Sequence, residues 1–366
     1  MQAPLNAEQT KRRDELAGRL FGACSGALDL VAIYIGHHLG YYRALTEHGP
    51  ATSAQLAKRT GTHERYAREW LEQQAVSGLL HVDDPRKDAA QRTFSIDAGT
   101  ADVVLNPLGP CNFVPGIRCY IAGVAQLPAI LDAYRTGGGV SWAEMSAEVV
   151  EGQAGFNQAV FTNLFTQQDI PAIPDVHKRL QADPPARVAD VGCGAGWSAI
   201  ALAKAYPKVR VDGFDFDPRV IALGKQNAAE AGVADRVAFE VRDVASLPAR
   251  TYDVITLLEC LHDLPHPVAT LSAARKALAP GGAVVVMEER VGEAFTVPGQ
   301  EFDQFCYGWS IMLCLPGGMY DKGSAGTGTV LRAPTLRRYA QEAGFADVEV
   351  LPIDTDPLRR WYRLRA

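Results

Sequence analysis

The sequence contains little that would mark a secreted, membrane-embedded or nucleic-acid-binding protein. Charged residues make up 21% of its 366 residues, and the formal net charge is −6. A negative protein has no broad electrostatic attraction for nucleic acid or for an anionic membrane, so we expect neither as a partner. The seven cysteines are odd in number, and no two of them have zinc-ligand spacing. This pattern argues against a disulfide framework and favours a reducing, cytoplasmic compartment.

Long hydrophobic runs are also scarce. Charges or prolines interrupt the apolar stretches before the length of about 18 residues that a membrane span needs, so we predict no transmembrane helix. The polar N-terminal residues are not typical of a signal peptide, and no fixed period indicates a repeat protein. Apolar residues nevertheless reach 47% of the chain. A chain of this length and composition predicts two domains, or one large one, with a substantial core.

The most informative stretch runs from Val188 to Gly196. Its apolar residues end in three glycines, Gly192, Gly194 and Gly196, with Asp190 just before the first. The pattern predicts a buried β-strand that breaks into a tight turn and opens a helix. Glycine is needed where the backbone turns sharply and approaches a ligand closely. We therefore expect a small molecule to lie against bare peptide groups at a helix N-terminus.

A nicotinamide dinucleotide is the first ligand to consider, because its fingerprint is also a glycine-rich turn, G-x-G-x-x-G. That spacing requires a third glycine at Trp197, whereas the chain has it one residue early, at Gly196. Asp190 also fits poorly beside a pyrophosphate. A carboxylate suits an ammonium group, which S-adenosylmethionine carries together with a sulfonium and no phosphate. The alternative for Asp190 is a structural role, in which it caps the helix or accepts hydrogen bonds from loop amides.

Acidic residues also follow the next predicted strands. The second strand ends at Asp215 and Phe216, the third runs into Asp243 and Val244, and the fourth ends at Glu259. In a parallel sheet these strand ends share one edge, which is where open α/β sheets bind ligands. A carboxylate one βαβ step after the glycine turn can accept ribose hydroxyls, and the next one can accept the adenine amino group.

These motifs in this order resemble the class I S-adenosylmethionine-dependent methyltransferases over residues 184–366. The motifs are D-x-G-x-G-x-G, then D-P, R-D-V and Y-D-V-I-T. The resemblance implies an α/β, Rossmann-like domain with seven strands and S-adenosyl-L-methionine as cofactor. The residues it implies for cofactor binding are Asp190, Gly192, Gly194, Gly196, Asp215, Phe216, Asp243, Val244 and Glu259.

An H-D pair, His262-Asp263, follows the fourth strand. In plant-type O-methyltransferases such a pair supplies a general base, and an acid after the fifth strand orients it. By this resemblance His262 is the candidate base, and Glu288 or Glu289 the orienting acid, with Glu289 our choice. Histidine suits the role because its pKa lies near neutral pH. The tryptophan that often follows H-D is replaced by leucine here, and the alternative is that His262 only lines the pocket.

The first 110 residues predict a mainly helical, winged-helix domain. Helices are expected over residues 16–48, at 53–61 with Ser53 as cap, and from Thr62 onward, followed by strands at 79–82 and 93–96. The charges of this region are nearly balanced, whereas a DNA-reading face is strongly basic. Resemblance to two-domain, small-molecule methyltransferases implies instead that the domain pairs two chains into a homodimer.

Residues 111–183 are predicted to be a helical connector that roofs the substrate site, with one helix from Ile117 to Tyr134 and a Pro-interrupted one from Phe156 to Leu180. Residues 184–366 are the predicted methyltransferase domain. Within it, the aromatic-rich segment 290–331 suits a lid over a small apolar or aromatic acceptor, or else it packs on the sheet or on a second chain. We expect methyl transfer to such an acceptor, most simply at oxygen.

Two other functions remain open at this point. A cyclase or rearrangement enzyme of the same fold would also bind S-adenosylmethionine, and a winged-helix transcriptional regulator would sense it. A metal-assisted transferase is a weaker option, because the sequence shows no compact cluster of His, Asp and Glu with metal-ligand spacing. We therefore predict no metal.

Overall fold

The computed structural model describes residues 4–242 and 247–366. Within it the chain forms two compact units, Met1–Ile121 and Ala122–Ala366. The segment 111–183, predicted as a connector, is divided between the two.

The first unit is helical with one small hairpin, as the sequence predicts. Its elements are α1 (Ala7–His38), α2 (Tyr41–His48), α3 (Ser53–Thr60), α4 (Glu64–Val76), β1 (His81–Val82), β2 (Phe94–Ser95) and α5 (Ala98–Leu105). Strands β1 and β2 are antiparallel, so α3, α4 and the hairpin form the expected helix, helix and wing. The predicted helix caps, Ser53 and Thr62, were each wrong by one residue. Thr52 and His63 are the caps, whereas Ser53 is buried and donates a hydrogen bond to Glu64 Oε1.

The core of the first unit is built around Trp70 on α4. The rings of Tyr41 and Tyr42 lie 4.8 and 5.0 Å from it, centroid to centroid. Its indole N–H donates to the carbonyl of Ala32 on α1 at 2.8 Å. A Cβ at Gly36 would lie 2.2 Å from the Trp70 ring, so glycine at this position lets the end of α1 approach α4.

Most of α1 carries its apolar side chains exposed within this unit. The large apolar residues that are exposed along it are Leu16, Leu20, Phe21, Leu28, Val31 and Ile35. By length and composition alone, α1 is long and apolar enough to cross a membrane, and the broken pair Val114–Ala125 and Leu127–Thr136 would count as a second span. The prediction of no transmembrane helix is not tested by this result and stays a prediction. Such a result is weak evidence for a membrane, because soluble proteins also meet the test.

The chain continues with helices that the sequence predicted less well. They are α6 (Val114–Ala125), in which the boundary of the units falls, α7 (Leu127–Thr136), α8 (Ala147–Val160), a π-helical turn (Phe161–Asp169) and α9 (Pro174–Gln181). A single helix from Ile117 to Tyr134 was predicted, but the helix ends at Ala125 and restarts with Pro128 in its first turn. Proline lacks the N–H that would continue the hydrogen-bond ladder, so it starts a helix more readily than it extends one.

The rest of the second unit is a twisted sheet with helices between its strands. The strands are β3 (Arg187–Val191), β4 (Arg210–Asp215), β5 (Val237–Val241), β6 (Tyr252–Leu258), β7 (Leu278–Glu289), β8 (Asp347–Val350) and β9 (Arg359–Arg365). The helices are α10 (Trp197–Ala205), α11 (Pro218–Glu230), α12 (Pro267–Ala277), α13 (Glu301–Trp309), α14 (Leu315–Gly318) and α15 (Ala333–Glu342). The seven-stranded, Rossmann-like α/β domain is confirmed.

The order of the strands positions the site. Across the described sheet the order is β5-β4-β3-β6-β7-β9-β8, with β9 antiparallel between β7 and β8 and the first five strands parallel. The chain leaves β3 toward one edge and returns to β6 on its other side. This reversal opens a crevice at the carboxyl end of β3, the usual ligand position in an open parallel sheet.

Candidate active site

The glycine turn lies in this crevice. Gly192, Gly194 and Gly196 have φ angles of +67°, +51° and +80°, a region that L side chains rarely adopt. A Cβ on Gly192 would lie 2.7 Å from the Cβ of Cys260, whereas one on Gly194 would point into open space. The turn is therefore packed against the end of β6 at Gly192 and presents bare peptide at Gly194.

Asp215 is tied directly to this turn. Its Oδ2 accepts a hydrogen bond from the Gly194 N–H at 3.1 Å, and its Oδ1 accepts one from the Asp217 N–H at 3.0 Å. Burial raises its pKa above the ordinary value. The neighbouring Phe216 ring stacks with Tyr320 at 5.9 Å. The structure thus brings together the turn, a carboxylate and an aromatic ring, as the cofactor-site prediction requires.

Asp190 lies beneath the turn and is 1% exposed. Its two carboxylate oxygens accept hydrogen bonds from Ser198 Oγ at 2.5 Å and Thr256 Oγ1 at 2.7 Å. Burial raises its pKa to about 6. Because both oxygens are engaged by hydroxyls of α10 and β6, this geometry favours the structural alternative for Asp190. Contact with an ammonium group stays a prediction, and Ser198 and Thr256 were not identified from the sequence.

The other predicted cofactor acids have different outcomes. Asp243 and Val244 lie outside the described residues. Glu259, at the end of β6, is held at a φ of +52°, and its carboxylate forms an ion pair with Arg359 at 2.7 Å. Arg359 is 4% exposed and also pairs with Asp356. A buried guanidinium therefore engages Glu259, whose contact with a cofactor stays a prediction.

His262 is held by an acid at the end of β7. Its Nδ1 lies 2.5 Å from Glu288 Oε2, and the other oxygen of Glu288 accepts the Leu261 N–H at 3.1 Å. Glu289 Oε2 lies 3.5 Å from the same nitrogen. Of the two acids considered, the geometry therefore favours Glu288 rather than our choice, Glu289. Strand side chains alternate in direction, so adjacent residues cannot face the same ring equally.

The opposite nitrogen of His262 faces a second set of groups. Asp263 Oδ1 lies 3.4 Å from Nε2, and Cys314 Sγ belongs to the same cluster. Burial alone would lower the pKa of His262. The carboxylates around the ring outweigh this effect, so the pKa lies well above 6.5. Burial raises the pKa of Asp263 to about 6. The carboxylates around the ring therefore favour the protonated imidazole.

The predicted lid packs against the helices that precede the sheet. In the second unit, the Val140 N–H donates to the Pro316 carbonyl at 2.9 Å, and a Cβ on Gly139 would overlap the backbone at Tyr320. Leu313 shares an apolar cluster with Ile130. Part of segment 290–331 therefore packs on these helices rather than on the sheet. Phe305, in the same segment, remains 43% exposed, and the lid stays a prediction.

Two family models match stretches of the chain. Residues 182–310 match the family described as "Methyltransferase domain", and residues 26–104 match the family described as "Rv2258c-like winged HTH domain". The chain is similar to the ubiquinone biosynthesis O-methyltransferase of Aromatoleum aromaticum, with 28% identity over 49% of this chain and 71% of that protein. For the protein of the same name from Nitrosospira multiformis the identity is 29%, over 52% and 74%.

Solved structures share the whole fold. The mitomycin 7-O-methyltransferase MmcR has a TM-score of 0.69 and 21% identity, covering 98% of this chain and all of its own. Human N-acetylserotonin methyltransferase, solved in complex with S-adenosylmethionine, has a TM-score of 0.68 and 19% identity, covering 100% and 99%. At these identities the likeness shows the fold.

The fold, the glycine turn at its switch point and the family match define a class I, Rossmann-like methyltransferase. The chain is an S-adenosylmethionine-dependent methyltransferase with an N-terminal winged-helix domain. The resemblance drawn from the sequence is thereby confirmed. Nothing in the comparisons favours a cyclase or a transcriptional regulator.

Proposed function

We propose that the chain transfers a methyl group from S-adenosylmethionine to a hydroxyl oxygen on a small, apolar or aromatic acceptor. The observation that carries this proposal is the contact between His262 and Glu288. His262 follows Cys260 by two residues, and Cys260 packs against Gly192 of the glycine turn. A positioned imidazole at that place is suited to removing a hydroxyl proton.

The residues of the turn fit the cofactor. Gly194 faces open space with a bare peptide, and Asp215 offers a carboxylate beside it. These groups would hold the adenosyl part, with Asp215 toward the ribose hydroxyls. When bound, S-adenosylmethionine supplies an electrophilic methyl group on a sulfonium. The task left to the protein is to align the acceptor and exclude water.

His262 would take the acceptor's proton at Nε2. Glu288 accepts the Nδ1–H, which fixes the tautomer with a free Nε2 and stabilises the imidazolium that forms. Because nearby carboxylates raise the pKa of His262, the neutral base is populated toward alkaline pH. Methyl transfer is therefore expected to speed up as pH rises.

Oxygen as the acceptor atom is supported by the relatives. The curated proteins from Aromatoleum and Nitrosospira and the structural neighbour MmcR are named as O-methyltransferases. An apolar acceptor is supported by the aromatic rings of α13, where Phe302 stacks on Phe305 and Phe305 packs edge-on against Trp309.

The test is a screen of phenolic and other hydroxylated aromatic acceptors with the purified chain, followed by mass spectrometry. The expected result is equal formation of S-adenosylhomocysteine and of an O-methylated product. A converted acceptor without S-adenosylhomocysteine would favour cyclisation or rearrangement instead. N- or C-methylation of the preferred acceptor would contradict the assignment to oxygen.

We further infer that the chain works as a cytoplasmic homodimer joined through α1. The exposed apolar side chains of this helix recur at helical spacing, including Leu20, Leu28 and Ile35. A second copy would cover them, which accounts for the apolar character of α1 without a membrane. Sedimentation should give a dimer that Leu28→Glu with Phe21→Glu converts to monomer. Flotation of the intact chain with lipid vesicles would contradict this proposal.

A further inference from the structure

We propose that the base pocket is also a zinc site, in which His262 Nε2, the Asp263 carboxylate and Cys314 Sγ bind Zn²⁺ and thereby switch off the base. The regulatory half of this inference rests on the proposed role of His262 as base. The metal-binding half stands on the arrangement of the side chains alone.

The first support is geometric. The three donor atoms lie within 4.8 Å of one another, and His262 Nε2 and Asp263 Oδ1 are 3.4 Å apart. Two ligands at about 2.0–2.1 Å from a tetrahedral zinc ion are separated by about 3.3–3.4 Å. A direct charge-assisted hydrogen bond would instead bring them to about 2.7–2.9 Å. The two atoms are thus spaced as neighbouring ligands of one ion.

The second support is an unsatisfied oxygen. Asp263 Oδ1 is buried and, among the described residues, has no donor at ordinary hydrogen-bond distance. Glu289 Oε2 is in the same condition. The Cys314 thiol and the Trp142 N–H lie close enough to the Asp263 carboxyl to lower its pKa. Buried polar atoms are nearly always paired, because leaving one unpaired costs the free energy of its desolvation. A cation between Asp263 and His262 would satisfy the first of these atoms directly.

Charge balance points the same way. Three acidic groups, those of Asp263, Glu288 and Glu289, lie 3.4, 2.5 and 3.5 Å from the ring nitrogens of the one imidazole of His262. The buried guanidinium nearby, Arg359, already forms ion pairs with Glu259 and Asp356. Uncompensated charge inside a protein is costly, and a divalent cation supplies the missing positive charge.

The donor set selects the metal. Imidazole nitrogen, thiolate sulfur and carboxylate oxygen together suit Zn²⁺, whereas Mg²⁺ and Ca²⁺ prefer oxygen alone. Glu288 at His262 Nδ1 is the outer carboxylate that usually orients a zinc-bound histidine. Three protein ligands leave a fourth position for water, and the ion occupies the lone pair that would otherwise take the acceptor's proton.

The fold holds the two halves of this cluster in place. Cys314 ends the π-helical turn Ser310–Cys314, a type of turn that is common at functional sites. Four residues later, Gly318 packs so closely that a Cβ there would lie 3.0 Å from the Asp263 carbonyl oxygen. The thiol and the H-D pair are therefore neighbours through the backbone as well as through their side chains.

Cobalt binding to the metal-free, full-length chain tests the site without any methyl transfer. Co²⁺ should bind one to one and give a thiolate-to-cobalt charge-transfer band that Zn²⁺ abolishes. Cys314→Ser should remove the band. Cys306→Ser, at a buried thiol outside the proposed ligand set, should keep it, with thermal unfolding confirming that both variants fold. No band in the wild-type chain, or a band that survives Cys314→Ser, overturns the proposal.

Zinc titrations complete the design. Glu288→Gln should weaken zinc affinity about 10–100-fold, as loss of an outer partner does. Zinc should inhibit the wild-type enzyme, and the ratio of activity with and without zinc should approach one in Cys314→Ser. If His262→Ala keeps full activity, the base assignment fails while the cobalt spectrum still decides the metal site. Normal inhibition by zinc in Cys314→Ser contradicts the switch.

Discussion

The carboxyl edge of the sheet has two halves that hold their carboxylates in different ways. In the cofactor half, at β3 and β4, Asp190 and Asp215 accept from hydroxyls and backbone N–H groups. The other half, at β6 and β7, holds the proposed base and is called the base half. There Glu259 faces the charged side chain of Arg359, and Glu288 faces the ionisable side chain of His262. The carboxylates of the first half are thus held by neutral donors, which suits the proposed binding of a ligand. Those of the second half are held by ionisable side chains, which suits the proposed transfer of a proton.

The division predicts that variants in the two halves have separable effects. The largest is expected at His262→Ala, which should lower kcat/KM about 10²–10⁴-fold by removing the base and leave S-adenosylmethionine affinity nearly unchanged. Steady-state kinetics and calorimetry measure the two quantities. His266→Ala, on the same loop and paired with Asp321 at 2.9 Å, is the matched control. A variant that turns over as fast as wild type at every pH would remove His262 from the mechanism.

Arg359→Met tests whether the base half depends on its charge pairs for stability. It leaves Glu259 buried without its cation, so the free energy of unfolding should fall by about 3–5 kcal/mol. Adding Glu259→Gln should restore much of the loss, because the uncompensated charge is then gone. Urea unfolding of both single variants and the double variant gives the coupling. Additive losses would mean that the two side chains act independently.

Asp215→Ala tests the cofactor half. Loss of a hydrogen bond to a charged group costs about 1.5–3 kcal/mol, so affinity for S-adenosylmethionine should fall about 10–100-fold, with little change in the stability of the base half. Asp190→Asn provides the contrast, because its oxygens are already engaged by Ser198 and Thr256. Equal losses in both variants would assign Asp190 to the cofactor after all.

Glu288→Gln should have the smallest effect, a shift in the pH profile. A neighbouring carboxylate favours the imidazolium, so removing one lowers the pKa of His262 from its raised position. The base then becomes neutral at lower pH, and the acidic limb of kcat/KM should move down by about one pH unit. If the acidic limb of kcat/KM, measured with the same acceptor, stays at the same pH, Glu288 does not control the protonation of His262.

The same division separates what the sequence predicted from what it did not. The glycine turn, the strand ends and the helix, helix and wing follow from local patterns, and all are present in the structure. Pro128 was a visible signal for the break between α6 and α7 that we did not use. For Asp190 the outcome depended on Thr256, far along the chain, which no local pattern connects to it.

The base half was less predictable because its partners come from distant elements. Choosing between Glu288 and Glu289 requires the direction of each side chain on β7, which the sequence does not define. Arg359 and Cys314 carry no motif, and only the fold brings them to the ends of β6 and β7. The cluster of His262, Asp263 and Cys314 was not identified for the same reason, because the thiol is far along the chain from the histidine.

The placement of β9 between β7 and β8 has a consequence for how the enzyme matures. During synthesis β7 and β8 emerge first, and they cannot complete the sheet until the later strand slides between them. Until then β7 presents an open edge, which invites pairing with other nascent chains. Arg359 is the first residue of that strand, so the buried ion pair with Glu259 forms only when this edge of the sheet is closed. A chain that lacks β9 should therefore aggregate more readily than the full chain.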